Sequence, residues 1–296
     1  MIKKLYNEQI TKEFTSHVIA FSAAENGAMG NPGSVRFVTD EKEIYEINDI
    51  CIEIPDGWKH TYLGAGNHLF MPEWMDILFY KIIDRNASES EIHATWIDTV
   101  IKILGRLSCK KCYCKERNEY RSKLEITPYN AQRKKEENKG TIRESLCVAW
   151  DSVFNKKDKI VAIGINPSTA QDGESDTTMT KLCRFLDMYG FNNVTMLNLF
   201  ESVSPDQNKI VKTARTDFAK KREIFDEADI ILLVWGIDGH RECKRESVSV
   251  LADYAEKLYC IRNQNGRYPA HPSRMSYQSE IMPIISAKDF SACGLQ

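Results

Sequence analysis

Residues 158–169 read DKIVAIGINPST. From Ile160 to Ile165 only glycine and alanine interrupt the large apolar side chains, and the run stops at an Asn-Pro pair. A short, nearly continuous apolar run that ends in turn residues suits a strand covered on both faces, which is the habit of parallel sheets. Four more runs surround it: SLCVAWDSV from Ser145, NVTMLNLF from Asn193, DIILLVWG from Asp229 and KLYCIRN from Lys257. Helical patterns lie between most of them. Asp176 or Thr177 can cap a helix through Met179, Leu182, Phe185 and Leu186 to a stop at Gly190, a second helix is expected over 211–227 and a third over 242–257. The pattern predicts a three-layer α/β/α domain with a central parallel sheet over 145–296.

The first hundred residues read differently. SVRFVTD and EIYEIND, separated by a turn-like stretch, alternate as a half-buried hairpin does. Ile92, Trp96, Val100, Ile103 and Leu107 recur on one helical face. A smaller α+β domain is expected over 1–108. Between it and the parallel domain, residues 109–144 turn to Lys, Arg, Glu, Asn and Cys, as a connector would. Two glycine-rich stretches, FSAAENGAMGNPGSV and TYLGAGNHLFMP, fit neither GxGxxG nor GxxxxGK and read as tight loops.

Charge and composition narrow the classes of function. The chain has 296 residues, 42% hydrophobic and 28% charged, and no apolar run nears the roughly 20 residues that span a bilayer. No membrane role is expected, and without an apolar segment behind the first lysines a cytoplasmic location is. The net charge of −2 hides a basic stretch, since 102–139 holds twelve Lys/Arg against five Glu. Such a stretch can meet phosphates, with Lys110 and Lys111 as candidates, or be a solvated linker. Cys109, Cys112 and Cys114 have half the spacing of a zinc or iron–sulfur site but lack an evident fourth ligand, so no metal or cofactor is assigned.

The strand ends carry the unusual residues. GINPS, MLNLF, LLVWGIDGH and HPSRMSY follow one another in order, and together they resemble the four motifs of the uracil-DNA glycosylase superfamily. GINPSTA, an Asp-Thr pair, an Asn-Leu-Phe strand, a VWG strand and a final HPS resemble, more closely, the DUF1643 family. The resemblance covers about 135 residues of the C-terminal half. It implies a uracil-DNA glycosylase-like fold and an enzyme that hydrolyses the N-glycosyl bond of an unusual or modified base. By resemblance His271 would donate to the departing base, Asn166 would hold the water, and Asn198 would read the edge of a flipped base. Pro167, Ser168, Thr169, Asp172, Asp176, Trp235, Gly236 and Ser273 would line the pocket, and Arg274 would meet nucleic-acid backbone.

Each of these residues also has a plain structural reading. His271 can satisfy a turn, Asn166 can sit before its proline, and Asp172, Glu174, Asp176 and Thr177 can cap a helix, recognise an amino-bearing base or hold a cation. The first motif lacks the Tyr and His of GQDPYH, so uracil selectivity is not implied, and Met275 is the candidate wedge by position. The expected partner is DNA or a nucleotide-like small molecule, with a protein partner open to the N-terminal half. A nucleoside or nucleotide hydrolase or transferase, and a non-catalytic nucleic-acid or nucleotide reader, remain the rival readings.

Overall fold

The computed structural model describes residues 2–6, 17–24, 33–52, 54–84, 86–109, 115–136, 140–204, 210–237 and 239–295. The chain divides into two compact units. The first is 1–123 with 153–155, and the second is 124–152 with 156–296.

The first unit contains β1 (Ile2–Tyr6), β2 (Val18–Ala24), β3 (Gly33–Thr39), β4 (Ile44–Ile50), β5 (Trp58–Tyr62) and β6 (Asn67–Pro72), followed by α1 (Glu73–Ile82), α2 (Glu89–Ser108) and α3 (Lys115–Ser122). The strands form one sheet in the order β1-β4-β3-β2-β6-β5. Phe21 stacks on Phe70 with ring centroids 4.6 Å apart, and Phe37 and Trp58 close the same cluster. The expected hairpin is β3 with β4, and α2 starts at a capping box between Ser88 and Glu91 and buries Trp96, Val100, Ile103 and Leu107.

The second unit continues with β7 (Ile126–Tyr129), β8 (Arg133–Glu136), β9 (Gly140–Arg143), β10 (Leu146–Trp150), β11 (Ile160–Gly164), α4 (Thr177–Asp187), β12 (Asn193–Asn198), α5 (Arg222–Glu227), β13 (Ile230–Leu233), α6 (Arg241–Leu251), β14 (Leu258–Arg262), β15 (Glu280–Pro283) and α7 (Ala287–Ala292). Its main sheet runs β15-β14-β13-β11-β12-β10-β7. The four central strands are mutually parallel, and β15, β10 and β7 are antiparallel to their neighbours. Every residue of β11 is buried. Val161, Ile163, Ile231 and Leu233 enter one cluster with Phe225 of α5 and Leu251 of α6, while Ala162 and Leu232, buried too, alternate to the opposite face.

Three expectations need correction. SLCVAWDSV was grouped with the parallel strands, but β10 pairs antiparallel with β12. Its alternating burial is that of a strand with one open face, and no crossover helix precedes β11. The helix expected over 211–227 shrinks to a 3-10 turn, Phe218–Lys221, and the six residues of α5. The connector over 109–144 is not one segment. Its start includes α3 of the first unit, and β7 to β9 belong to the second, where β7 buries only Pro128 and needs little apolar sequence to hold its edge position.

In the central sheet the chain goes from β11 to β12 on one side, then returns past β11 to β13 on the other. Ligands in open α/β sheets collect beyond the carboxyl end of the strand at such a reversal. The register there sets Gly164 beside Asn198. A Cβ on Gly164 would lie 2.5 Å from Met196 Cε and 2.9 Å from Asn198 Oδ1, so any larger residue would make both side chains shift. Gly164→Ala is therefore expected to cost about 1–3 kcal/mol of stability through overpacking, measured by chemical denaturation; an unchanged midpoint and slope contradict the close approach.

Candidate functional site

The loop after β11 is held from several sides. Asn166 donates through Nδ2 to the carbonyls of Pro167 (3.0 Å) and Ser204 (2.6 Å). Both partners are acceptors, which fixes the amide orientation. Its Oδ1 takes no hydrogen bond from any described residue, so one acceptor stays available. Asp176 caps α4 by accepting from Met179 N at 2.8 Å, and its other oxygen accepts from Ser168 Oγ and from Ala170 N. A single carboxylate thus ties the loop to the helix. Pro167 is buried and Thr169 is exposed. Asp172 accepts from Ala131 N at 2.8 Å, and Glu174 accepts from the Gln171 side chain at 2.7 Å, so both serve local structure.

Asn198 ends β12. The residue is 3% exposed, its side-chain amide makes no hydrogen bond to a described residue, and the amide atoms keep some contact with solvent. An unpaired donor and acceptor side by side at a strand end can receive a planar group that presents the complementary pair.

His271 follows β14. The backbone N–H of Ser273 donates to Nδ1 at 3.3 Å, and Ser273 Oγ lies 2.8 Å from the same nitrogen. An amide can only donate, so Nδ1 is the acceptor and the neutral ring carries its proton on Nε2. Burial lowers the His271 pKa below the ordinary histidine value, Arg274 lowers it further, and Asp176 opposes them. The site therefore presents a neutral Nε2–H donor. His271 lies beside Gly236, beyond the end of β13, since a Cβ on Gly236 would come 3.4 Å from His271 Cβ. Lys181 of α4 donates to the Ser273 carbonyl at 3.2 Å, which ties this turn to the helix that Asp176 caps.

The remaining candidates are placed as follows. Trp235 is fully buried and its indole N–H donates to the Cys293 carbonyl at 3.1 Å, so it supports the strand end from the core. Arg274 is exposed on the 3-10 turn after His271. Met275 is 2% exposed, which corrects its reading as a wedge, because an intercalating side chain has to protrude. Lys110, Lys111, Cys112 and Cys114 lie outside the described residues. Cys109 follows α2 in the first unit, and its carbonyl accepts from Arg117. Among the described residues no group of three or more His, Cys, Asp or Glu is placed to hold a metal, and no helix is long and apolar enough to cross a membrane.

Two residues that the sequence reading did not single out belong here. Lys244 of α6 is buried and donates to the carbonyls of Gly236 (2.8 Å) and Ile237 (3.2 Å), fixing the loop that leaves β13. Arg143 of β9 is buried against the Ala170 carbonyl, beside the Asp176 loop. Both look like surface residues in a chain this charged, and only the fold turns them inward.

Residues 143–273 match the family model described as a protein of unknown function, DUF1643. No curated protein and no solved structure matches the chain. The match begins at Arg143 and ends at Ser273, so it spans all the residues of this rim from β9 to the His271 turn.

His271 also supplies a pH test. Its folded pKa is lowered, so between the folded value and the unfolded value of about 6.5 the unfolded chain binds more protons, and stability rises with pH. The contribution from neutral His271 is complete above that window and is lost as pH falls through it. An NMR titration is expected to show an Nε2–H ring that protonates only below its unfolded value; a midpoint at or above 6.5 contradicts the desolvated site.

Proposed function

We propose that the second unit recognises a nucleobase and hydrolyses the N-glycosyl bond that holds it. The observation carrying this reading is the solvent-reached amide of Asn198, which makes no hydrogen bond to a described residue and lies on the same rim as a neutral His271 donor and an Asn166 acceptor. The uracil-DNA glycosylase-like, three-layer arrangement is part of the proposal, and the parallel centre and the cluster under α5 and α6 support it.

The chemistry needs little from the protein beyond placement. As the bond between C1′ and the base nitrogen breaks, its electron pair goes to the base and the sugar gains oxocarbenium character. A water oxygen then bonds to C1′, and the proton that water loses passes to the departing base or to solvent. Asn198 would hold the base edge, and the His271 Nε2–H would stabilise charge on a base oxygen. Asn166 Oδ1 would accept from the water and orient it. An amide cannot take the proton, so catalysis leans on leaving-group stabilisation rather than general-base help.

A second reading keeps this pocket and replaces DNA with a free nucleoside or nucleotide. The burial of Met275 favours it, because the position that offered a wedge for opening a duplex has none. Both readings are tested together. The protein and its Asn198→Ala and His271→Ala variants are incubated with DNA containing uracil, hypoxanthine or hydroxymethylcytosine, and with the corresponding nucleosides and nucleotides, and free base is scored by mass spectrometry. Release by the parent that falls at least about a hundredfold in His271→Ala is expected, the loss typical of a removed oxyanion donor. Release from no substrate, with binding retained, would make the domain a reader rather than a hydrolase.

A further inference from the structure

β8 and β9 form a two-stranded hairpin in which Arg133 and Arg143 are cross-strand partners. Both guanidinium groups converge on one acceptor, the carbonyl of Ala170: Arg133 Nη2 donates to it at 2.8 Å, and Arg143 Nη1 donates to it as well. Arg133 also reaches the Gln171 side chain at 3.2 Å. Arg143 is 2% exposed, and its Nε is buried with no hydrogen-bond partner among the described residues. Neither arginine has a carboxylate of a described residue within ion-pair distance.

Two like charges side by side, one of them buried, are unfavourable in an empty site. Burial lowers the Arg143 pKa to about 10, and the neighbouring Arg133 adds to the effect, opposed by Asp176. Asp176 offsets one of the two charges without an ion pair to either arginine, so two guanidinium groups face one carboxylate and the patch stays net positive. The forked donors of arginine match the oxygens of a tetrahedral oxyanion, which such a pair can hold from two sides. Ala170, whose carbonyl both arginines hold, donates its N–H to Asp176, so this cationic patch adjoins the Asp176 loop of the base site.

We infer that Arg143 and Arg133 form an anion subsite that takes the terminal phosphate of a nucleoside monophosphate whose base is read at Asn198. The phosphate subsite itself stands on Arg143 and Arg133; its link to a base rests on the function proposed above. A terminal phosphate is inferred because it offers three free oxygens to two guanidinium groups, one exposed at Arg133 and one 2% exposed at Arg143, where a phosphodiester offers two. Substrate choice thereby moves from duplex DNA to a mononucleotide.

The test begins with inorganic phosphate, titrated calorimetrically into the full chain at constant ionic strength. Saturable binding is expected, weakened about tenfold or more in Arg133→Ala, whose exposed side chain can be removed without disturbing the core, and in Arg143→Lys, which keeps the charge and loses the fork. No saturable binding by the parent, or parent-like binding by both variants, overturns the subsite. Phosphate binding has to persist in Asn198→Ala, so failure of the base reading leaves this result intact and the two can be told apart. Deoxynucleoside 5′-monophosphates should displace phosphate while the matching nucleosides do not. Equal displacement by a 5′-phosphorylated oligonucleotide overturns the assignment to a mononucleotide.

Discussion

The parallel pairing of β11 with β12 places Gly164 next to Asn198, and the geometry of the rim follows from that one register. Because strand side chains alternate between faces, a slip of one residue would turn the apolar set of β11 around and remove the glycine from beside the amide. The burial of β11 on both faces forbids such a slip. A fixed register in turn fixes where the chain leaves the sheet at Asn166, and therefore where the loop carrying Pro167 and Ser168 can stand. Asn198 then lies 3% exposed with its amide unbonded to any described residue, in a sheet whose neighbouring positions are apolar.

Around that point the loops hold one another rather than depending on regular structure. Asp176 joins the first loop to α4, Lys181 of the same helix grips the Ser273 carbonyl, and Lys244 grips the end of β13. His271 lies beside Gly236 beyond β13, and Ser273 sets the tautomer of its ring. Donors and acceptors held in this way need not reorganise when charge develops on a ligand, which is how electrostatic stabilisation becomes effective. Arg143 and Arg133 add positive potential at one edge of the same rim.

The central strands, α4 with its cap at Asp176, and the hairpin of β3 with β4 were legible in the sequence because hydrophobic period and capping chemistry are local signals. Orientation was less legible. β10 has the composition of its parallel neighbours, and only the missing crossover marks it as antiparallel. The segment before Phe218 carries helix formers, yet the chain there follows the strand ends instead. Within the site, the motif residues could be named from their order along the chain, whereas Arg143 could not. It lies beyond the basic stretch, between Ile142 and Glu144, and its burial arises from a pairing between β8 and β9 and from a carbonyl 27 residues away. Trp235 shows the converse, since a residue inside a recognised motif can serve the core.

The most direct measurement is the side-chain amide resonance of Asn198 in selectively ¹⁵N-labelled protein during titration with free uracil, cytosine, adenine, guanine and hypoxanthine. If the unpaired amide reads a base edge, at least one base shifts that resonance saturably, and the His271 ring signals move at the same midpoint. If none of the bases moves Asn198 while the protein remains folded, the amide is not a base reader and the nucleobase assignment of this rim is contradicted.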